Sequence, residues 1–293
     1  MPFPAASAGL RLEPYTRQIT VRDILAYAAG LGASEAAFLD DARPGGVLAL
    51  PFQCVSLEWP VVLSLRDTLT GALTPAEALR GVHAIQDSEF HRPIRPGDSL
   101  ITEGQLISAR RSRAGVVCVI RLAIRDAKTG EAVTTSWSSS IYRGVDLEGD
   151  DISLMSPPSP PEGASVALPT DAEVTIVPIP REMPHVYSEC AAIWNPIHTE
   201  RQVALAAGLP DIILHGTATW ALAGLTILRR YAGSGSARLK RFSGRFSSMV
   251  IPGEPITIRH APVNRGADII LFEVLTPSGA IAIAQGFAEL SEG

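Results

Sequence analysis

Phe90-His-Arg-Pro-Ile-Arg-Pro96-Gly97-Asp98-Ser-Leu-Ile in the first half of the chain is matched by Phe246-Ser-Ser-Met-Val-Ile-Pro252-Gly253-Glu254-Pro-Ile-Thr in the second. The offset is constant, since 246 − 90 and 252 − 96 both equal 156. Pro-Gly followed by an acid is ordinary turn chemistry and proves little alone. The shared upstream Phe and the strand-like runs that follow point to duplication. A period this long means two copies of a domain, not a solenoid.

The chain of 293 residues is long enough for two domains. The clearest break lies at 144–168, where acidic residues meet a Pro/Ser/Gly cluster without periodicity. This divides the chain into an N-terminal domain at 1–150, a linker at 151–165 and a C-terminal domain at 166–293. Hydrophobic residues make up 46% and charged residues 19%, a globular balance that excludes general disorder. A net charge of −5 argues against a nucleic-acid or membrane-surface partner, because both need basic excess. No apolar run is long enough to span a bilayer, and the N-terminus lacks the pattern of a secretory signal. Cys54, Cys118 and Cys190 stand singly, which fits a reducing cytoplasm.

Each copy has a similar order of elements. In the second, Gly216 to Arg230 is a long apolar segment ending in basic residues, read as a nearly buried helix. Strands are expected at Leu239–Met249, Pro255–Ala261, Asp268–Leu275 and Ala280–Leu290. In the first, Thr20–Leu31 and Pro51–Leu65 read as helical or mixed. Strands follow at Ser99–Ala109, Gly115–Arg125 and Val133–Tyr142. A long helix followed by antiparallel strands is an α+β arrangement, in which a sheet wraps a helix.

The chemistry lies in Tyr187-Ser-Glu-Cys-Ala-Ala-Ile-Trp-Asn195-Pro196-Ile197-His198-Thr-Glu200, followed by Ala-Gly208-Leu-Pro210 and Ile-Leu-His215-Gly216-Thr217. Asn-Pro-Ile-His, with Ala-Gly-Leu-Pro and Ile-Leu-His-Gly downstream, closely resembles the motif of the MaoC-like, R-specific enoyl-CoA hydratases. Thr20 to Gly32 looks like the opening helix of the non-catalytic copy in two-copy members. The resemblance implies a tandem (double) hot-dog fold, with an antiparallel sheet around a central helix in each half. It implies a CoA or carrier-protein thioester as ligand, and addition or removal of water at a 2-enoyl group. The N-terminal copy would complete the acyl pocket, and the C-terminal copy would carry the single site.

Hydration of a conjugated thioester needs a base for water, an acid for the α-carbon and a donor to the thioester oxygen. His198 is the acid/base candidate because imidazole titrates near neutrality. Asn195 shapes the turn that presents it. Gly216 opens the long helix, so its N–H would face the thioester oxygen. One departure stands out. Family members carry an Asp two residues before the Asn, and this chain has Ile193 there. Isoleucine can neither take a proton nor orient a histidine. Glu189, Glu200, a reshaped loop or a water are the open replacements. Ala192 stands where the family prefers Gly.

Ile193, Trp194, His215 and Thr217 are the candidate substrate-binding residues. Trp194 has core burial as its alternative, and His215 has packing or capping at the helix start. Arg229, Arg230, Arg238, Lys240, Arg241 and Arg245 form the densest basic cluster, either for CoA phosphates or as a solvated surface. His83, His91 and His260 show no recognisable spacing. No metal or cofactor is expected. The function expected is a hydratase or dehydratase of 2-enoyl and 3-hydroxyacyl thioesters, with a homodimer possible. The alternatives are a thioester-binding protein without turnover and a thioesterase.

Overall fold

In the computed structural model the two Pro-Gly turns do the same work in both halves. Gly97 (φ +90°) and Gly253 (φ +109°) adopt the left-handed backbone that glycine tolerates. Each then donates its N–H to an isoleucine carbonyl, Gly97 to Ile19 and Gly253 to Ile179. A second pair repeats: Ala49 N–H bonds Ile94 O, and Leu214 N–H bonds Val250 O. The structure describes residues 2–69, 73–74, 77, 80–233, 239–264 and 268–291, with backbone alone at 66 and 67.

The first half runs β1 (Phe3–Pro4), β2 (Tyr15–Gln18), α1 (Val21–Gly30), α2 (Ala36–Leu39), α3 (Cys54–Thr68), β3 (Gly81–Phe90), β4 (Ser99–Ser112), β5 (Gly115–Asp126), β6 (Ala132–Arg143), β7 (Leu147–Glu148) and β8 (Ile152–Ser153). The second runs β9 (Glu173–Val177), α4 (Met183–Ala191), α5 (Arg201–Ala206), α6 (Gly216–Tyr231), β10 (Leu239–Phe246), β11 (Ile256–Pro262), β12 (Ile269–Leu275) and β13 (Ile281–Leu290). From the middle outward, one side of the main sheet reads β3, β6, β5, β4, β2 and the other β10, β13, β12, β11, β9. The order is the same on both sides, as a duplicated hot-dog requires. The seam is the antiparallel pair β3–β10, with Arg241 opposite Glu89 and Arg245 opposite Ile85.

The halves share one core. Phe52, just before α3, lies 5.3 Å from the Trp220 ring and 5.2 Å from Phe242. Gly224 in α6 makes room for it, since a Cβ there would fall 2.0 Å from the Phe52 ring. Tyr27 of α1 and Tyr187 of α4 meet with hydroxyls 3.4 Å apart, and Tyr27 donates to Phe52 O. On the opposite sheet face from Phe242, by strand alternation, Arg241 makes a buried bidentate pair with Asp87 at 2.7 and 2.9 Å. The same guanidinium also donates to the carbonyls of Pro158 and Ser159, fastening that stretch to the seam.

Six strands lie where none was expected: the two-residue β1, β7 and β8, and β2, β3 and β9. β2 and β9 are short edge strands. β3 hides its alternation because Gln86, Asp87 and Ser88 are all buried. Part of the expected linker is also paired: β8 lies along β4. The basic cluster is dispersed. Arg229 pairs with Glu35, Arg230 with Glu173, and Arg241 lies in the seam. Lys240 and Arg245 are exposed, and Arg238 lies outside the described residues.

Candidate active site

The His198-bearing segment is an overhang between α4 and α6. Helix α4 ends in a Schellman-like closure, with Ile193 N–H bonding back to Ser188 O. Its left-handed residue is Ala192 (φ 54°, ψ 40°), where glycine would cost less. The loop thus takes a backbone that glycine would hold more easily than Ala192 does. The reversal turns Ile193 into the core at 4% exposure and Trp194 outward at 56%. The Trp194 indole donates to Glu189. That placement corrects the core alternative for Trp194: the ring lies on the surface because the αL residue flips the chain before it.

Asn195 starts a 3-10 turn, Pro196–His198, and its carbonyl accepts from His198 N–H. Its side chain makes no capping bond. His198 is almost fully buried, and its Nδ1 lies 2.8 Å from Ile213 O. A carbonyl can only accept, so Nδ1 carries the proton and Nε2 is left as an acceptor. Burial pushes the His198 pKa down to about 4. The ring is neutral at pH 7, with the Nε2 lone pair left to accept.

His215 stacks on His198, with centroids 3.7 Å apart and planes at 24°. Its Nε2 lies 3.2 Å from Ile193 O and 3.1 Å from Ser188 Oγ. By the same rule Nε2 holds the proton. Nδ1 is buried, and no donor among the described residues meets it. Burial, and next the neighbouring His198, push its pKa down to about 2. Tyr187 packs against the His215 ring at 5.0 Å and donates its hydroxyl to Thr217 Oγ1.

Gly216 and Thr217 open α6, and the first bonds at this end run from Ala218 and Thr219 N–H to His215 O. The N–H groups of Gly216 and Thr217 thus precede the intrahelical ladder at the positive end of the helix dipole. A Cβ at 216 would come within 3.2 Å of the Phe246 ring, so glycine allows this close approach. Phe246 in turn lies 4.8 Å from the His83 ring. The neighbourhood thus combines a base at His198 with helix-end donors that can hold a developing oxyanion.

Sequence reasoning missed two features. His83 packs across the seam on Phe246, the ring beside Gly216, which no local spacing could signal. Glu58 of α3 is fully buried, bonded to Ser136 Oγ at 2.5 Å and Gln86 Nε2 at 3.0 Å, and burial raises its pKa to about 7. The two candidate carboxylates, Glu189 and Glu200, are exposed, and neither bonds His198. Among the described residues no three His, Cys, Asp or Glu side chains cluster as metal ligands, and no helix is long and apolar enough to cross a membrane.

Residues 168–274, which include His198 and Gly216, match the MaoC-like domain, and residues 6–136 match the FAS1-like dehydratase domain region. The 3-hydroxyacyl-thioester dehydratase Y of Mycobacterium tuberculosis is 26% identical, over 94% of this chain and 93% of that protein. A protein named probable enoyl-CoA hydratase 2 in Dictyostelium discoideum is 22% identical, over 95% of this chain and 93% of its own. A MaoC-like dehydratase from Phytophthora capsici has the same fold, with a TM-score of 0.82 at 23% identity, covering 99% of this chain and 98% of that one.

Proposed function

We propose, from the premise that the C-terminal half of the chain belongs to the MaoC-like family, that this protein adds water to 2-enoyl thioesters or removes it from 3-hydroxyacyl thioesters. The carrier is CoA or an acyl carrier protein. The observation that carries the reading is His198: buried, neutral and with Nε2 unprotonated, stacked on the residue that caps α6. In the hydration direction His198 Nε2 takes a proton from water as oxygen bonds to C3. The C2=C3 electron pair moves toward the thioester oxygen, where Gly216 N–H, with Thr217 beside it, stabilises the charge. The proton on His198 then passes to C2. Asn195 holds the turn that presents His198.

The test is hydration of crotonyl-CoA, followed by loss of the enoyl-thioester absorbance. Wild type turns over, and His198→Ala lowers kcat by roughly 10²–10⁴-fold, the range for removing a general base. Ile193 favours a second reading, a thioester-binding protein without turnover. It predicts an inactive wild type that still binds acyl-CoA, as well as His198→Ala does. Release of free CoA thiol would instead indicate a thioesterase.

A further inference from the structure

We propose that His215 is a further catalytic residue, holding the attacking water through Nδ1 in place of the carboxylate that Ile193 replaces. This rests on the hydratase reading above. A water that attacks C3 must aim a lone pair at carbon, so both of its protons need acceptors. His198 Nε2 accepts the one that is transferred. In the family motif a carboxylate stands at 193, and here the side chain is apolar and turned into the core.

His215 supplies the second acceptor by geometry. Ile193 still contributes at this point, through its main chain. Its carbonyl accepts from His215 Nε2–H and so fixes the tautomer that leaves Nδ1 unprotonated. Nδ1 is fully buried and meets no donor among the described residues. A buried acceptor left this way is unfavourable unless something small and protic reaches it. His215 is also the N-cap of α6 and makes no side-chain capping bond there. Gly216 and Thr217 follow His215 directly at this helix end, so the ring and the two leading N–H groups belong to one short stretch. Stacking on His198 places both imidazoles at one spot.

The step balances. The C3–O bond forms, and the water O–H facing His198 breaks. That proton moves to His198 Nε2 and then to C2. The proton held by His215 stays on oxygen and becomes part of the product hydroxyl.

Two variants separate this role from a structural one. Asn places a side-chain oxygen where Nδ1 lies but loses the bond to Ile193 O. Gln can keep a donor to Ile193 O but offers no acceptor at the Nδ1 position. In crotonyl-CoA hydration, His215→Gln lowers kcat on the order of 100-fold with KM within about threefold, while His215→Asn loses about tenfold or less. The reverse order, with Gln close to wild type and Asn impaired, would overturn the proposal and leave His215 as a loop anchor. An inactive wild type would overturn the hydratase reading and this inference with it. If neither variant folds, as judged by melting, ¹⁵N NMR of histidine in the wild type decides. His215 as the Nε2–H tautomer, with the Nδ1 signal shifting when a saturated acyl-CoA is added, supports the role. An Nδ1–H tautomer, or no shift, rejects it.

Discussion

Placing a carboxylate in the His198 loop by Ile193→Asp tests how strongly this buried position rejects an acid. The Ile193 side chain is 4% exposed and belongs to the core cluster shared by the two halves. Its removal loses about 2–3 kcal/mol of apolar burial. The new carboxyl enters the same buried place in the core, so burial raises its folded pKa above the ~3.9 of the unfolded chain. A group with a raised folded pKa is neutral in both states at low pH and adds no ionisation cost there. As pH rises above ~3.9 the unfolded chain ionises first, and stability falls until the folded pKa is passed. At about 1.4 kcal/mol per unit, a shift of roughly two units adds about 3 kcal/mol. The variant should therefore be about 2–3 kcal/mol less stable than wild type near pH 4 and about 5–6 kcal/mol less stable near pH 8. At about 2–4 °C per kcal/mol the latter lowers Tm by roughly 10–20 °C. Thermal melts of both proteins by circular dichroism at the two pH values measure it. A loss under about 1 kcal/mol, unchanged with pH, would refute the reasoning. It would mean that the position already faces polar partners able to hold a carboxylate.

Three further outcomes follow from the same geometry. Ala192→Gly relieves the left-handed strain at the end of α4 and should stabilise the protein by up to about 1 kcal/mol, read as a higher urea midpoint; a loss would show that the Ala192 methyl packs usefully. Asp87→Ala strands the buried Arg241 at the seam and should cost about 3–5 kcal/mol, whereas the double change Asp87→Ala with Arg241→Met should recover part of it in a double-mutant cycle. Glu58 has a folded pKa raised to about 7, so its contribution is full at low pH and is lost between about 4.3 and 7 as pH rises. Glu58→Gln should remove that slope of about 3 kcal/mol from the pH–stability curve between pH 5 and 8, and an unchanged slope would place its origin elsewhere.

What could be read along the chain was chemistry confined to a few neighbouring residues. Pro96-Gly97-Asp98 and Pro252-Gly253-Glu254 announce identical turns because glycine's left-handed freedom is a property of one position. The strands β10 to β13 and the helix from Gly216 were legible for the same reason, since their periodicity is local. Asn195, His198 and Gly216 were visible as a motif, and Ile193 as its departure. The tertiary structure decided everything that depends on partners far apart in sequence. The pairing of β3 with β10 joins residues more than 150 positions apart, and with it come the Arg241–Asp87 pair and the approach of His83 to Phe246. The tautomers of His198 and His215 depend on the carbonyls of Ile213 and Ile193, which the fold brings to them. Trp194 is apolar enough for a core and still lies outside, because the backbone sign at Ala192 determines the direction of the next residues. Glu58 could settle in the interior only where Gln86 and Ser136 from two other strands meet it. Residue type sets what a side chain can do, but register and packing across the whole chain decide which groups it meets.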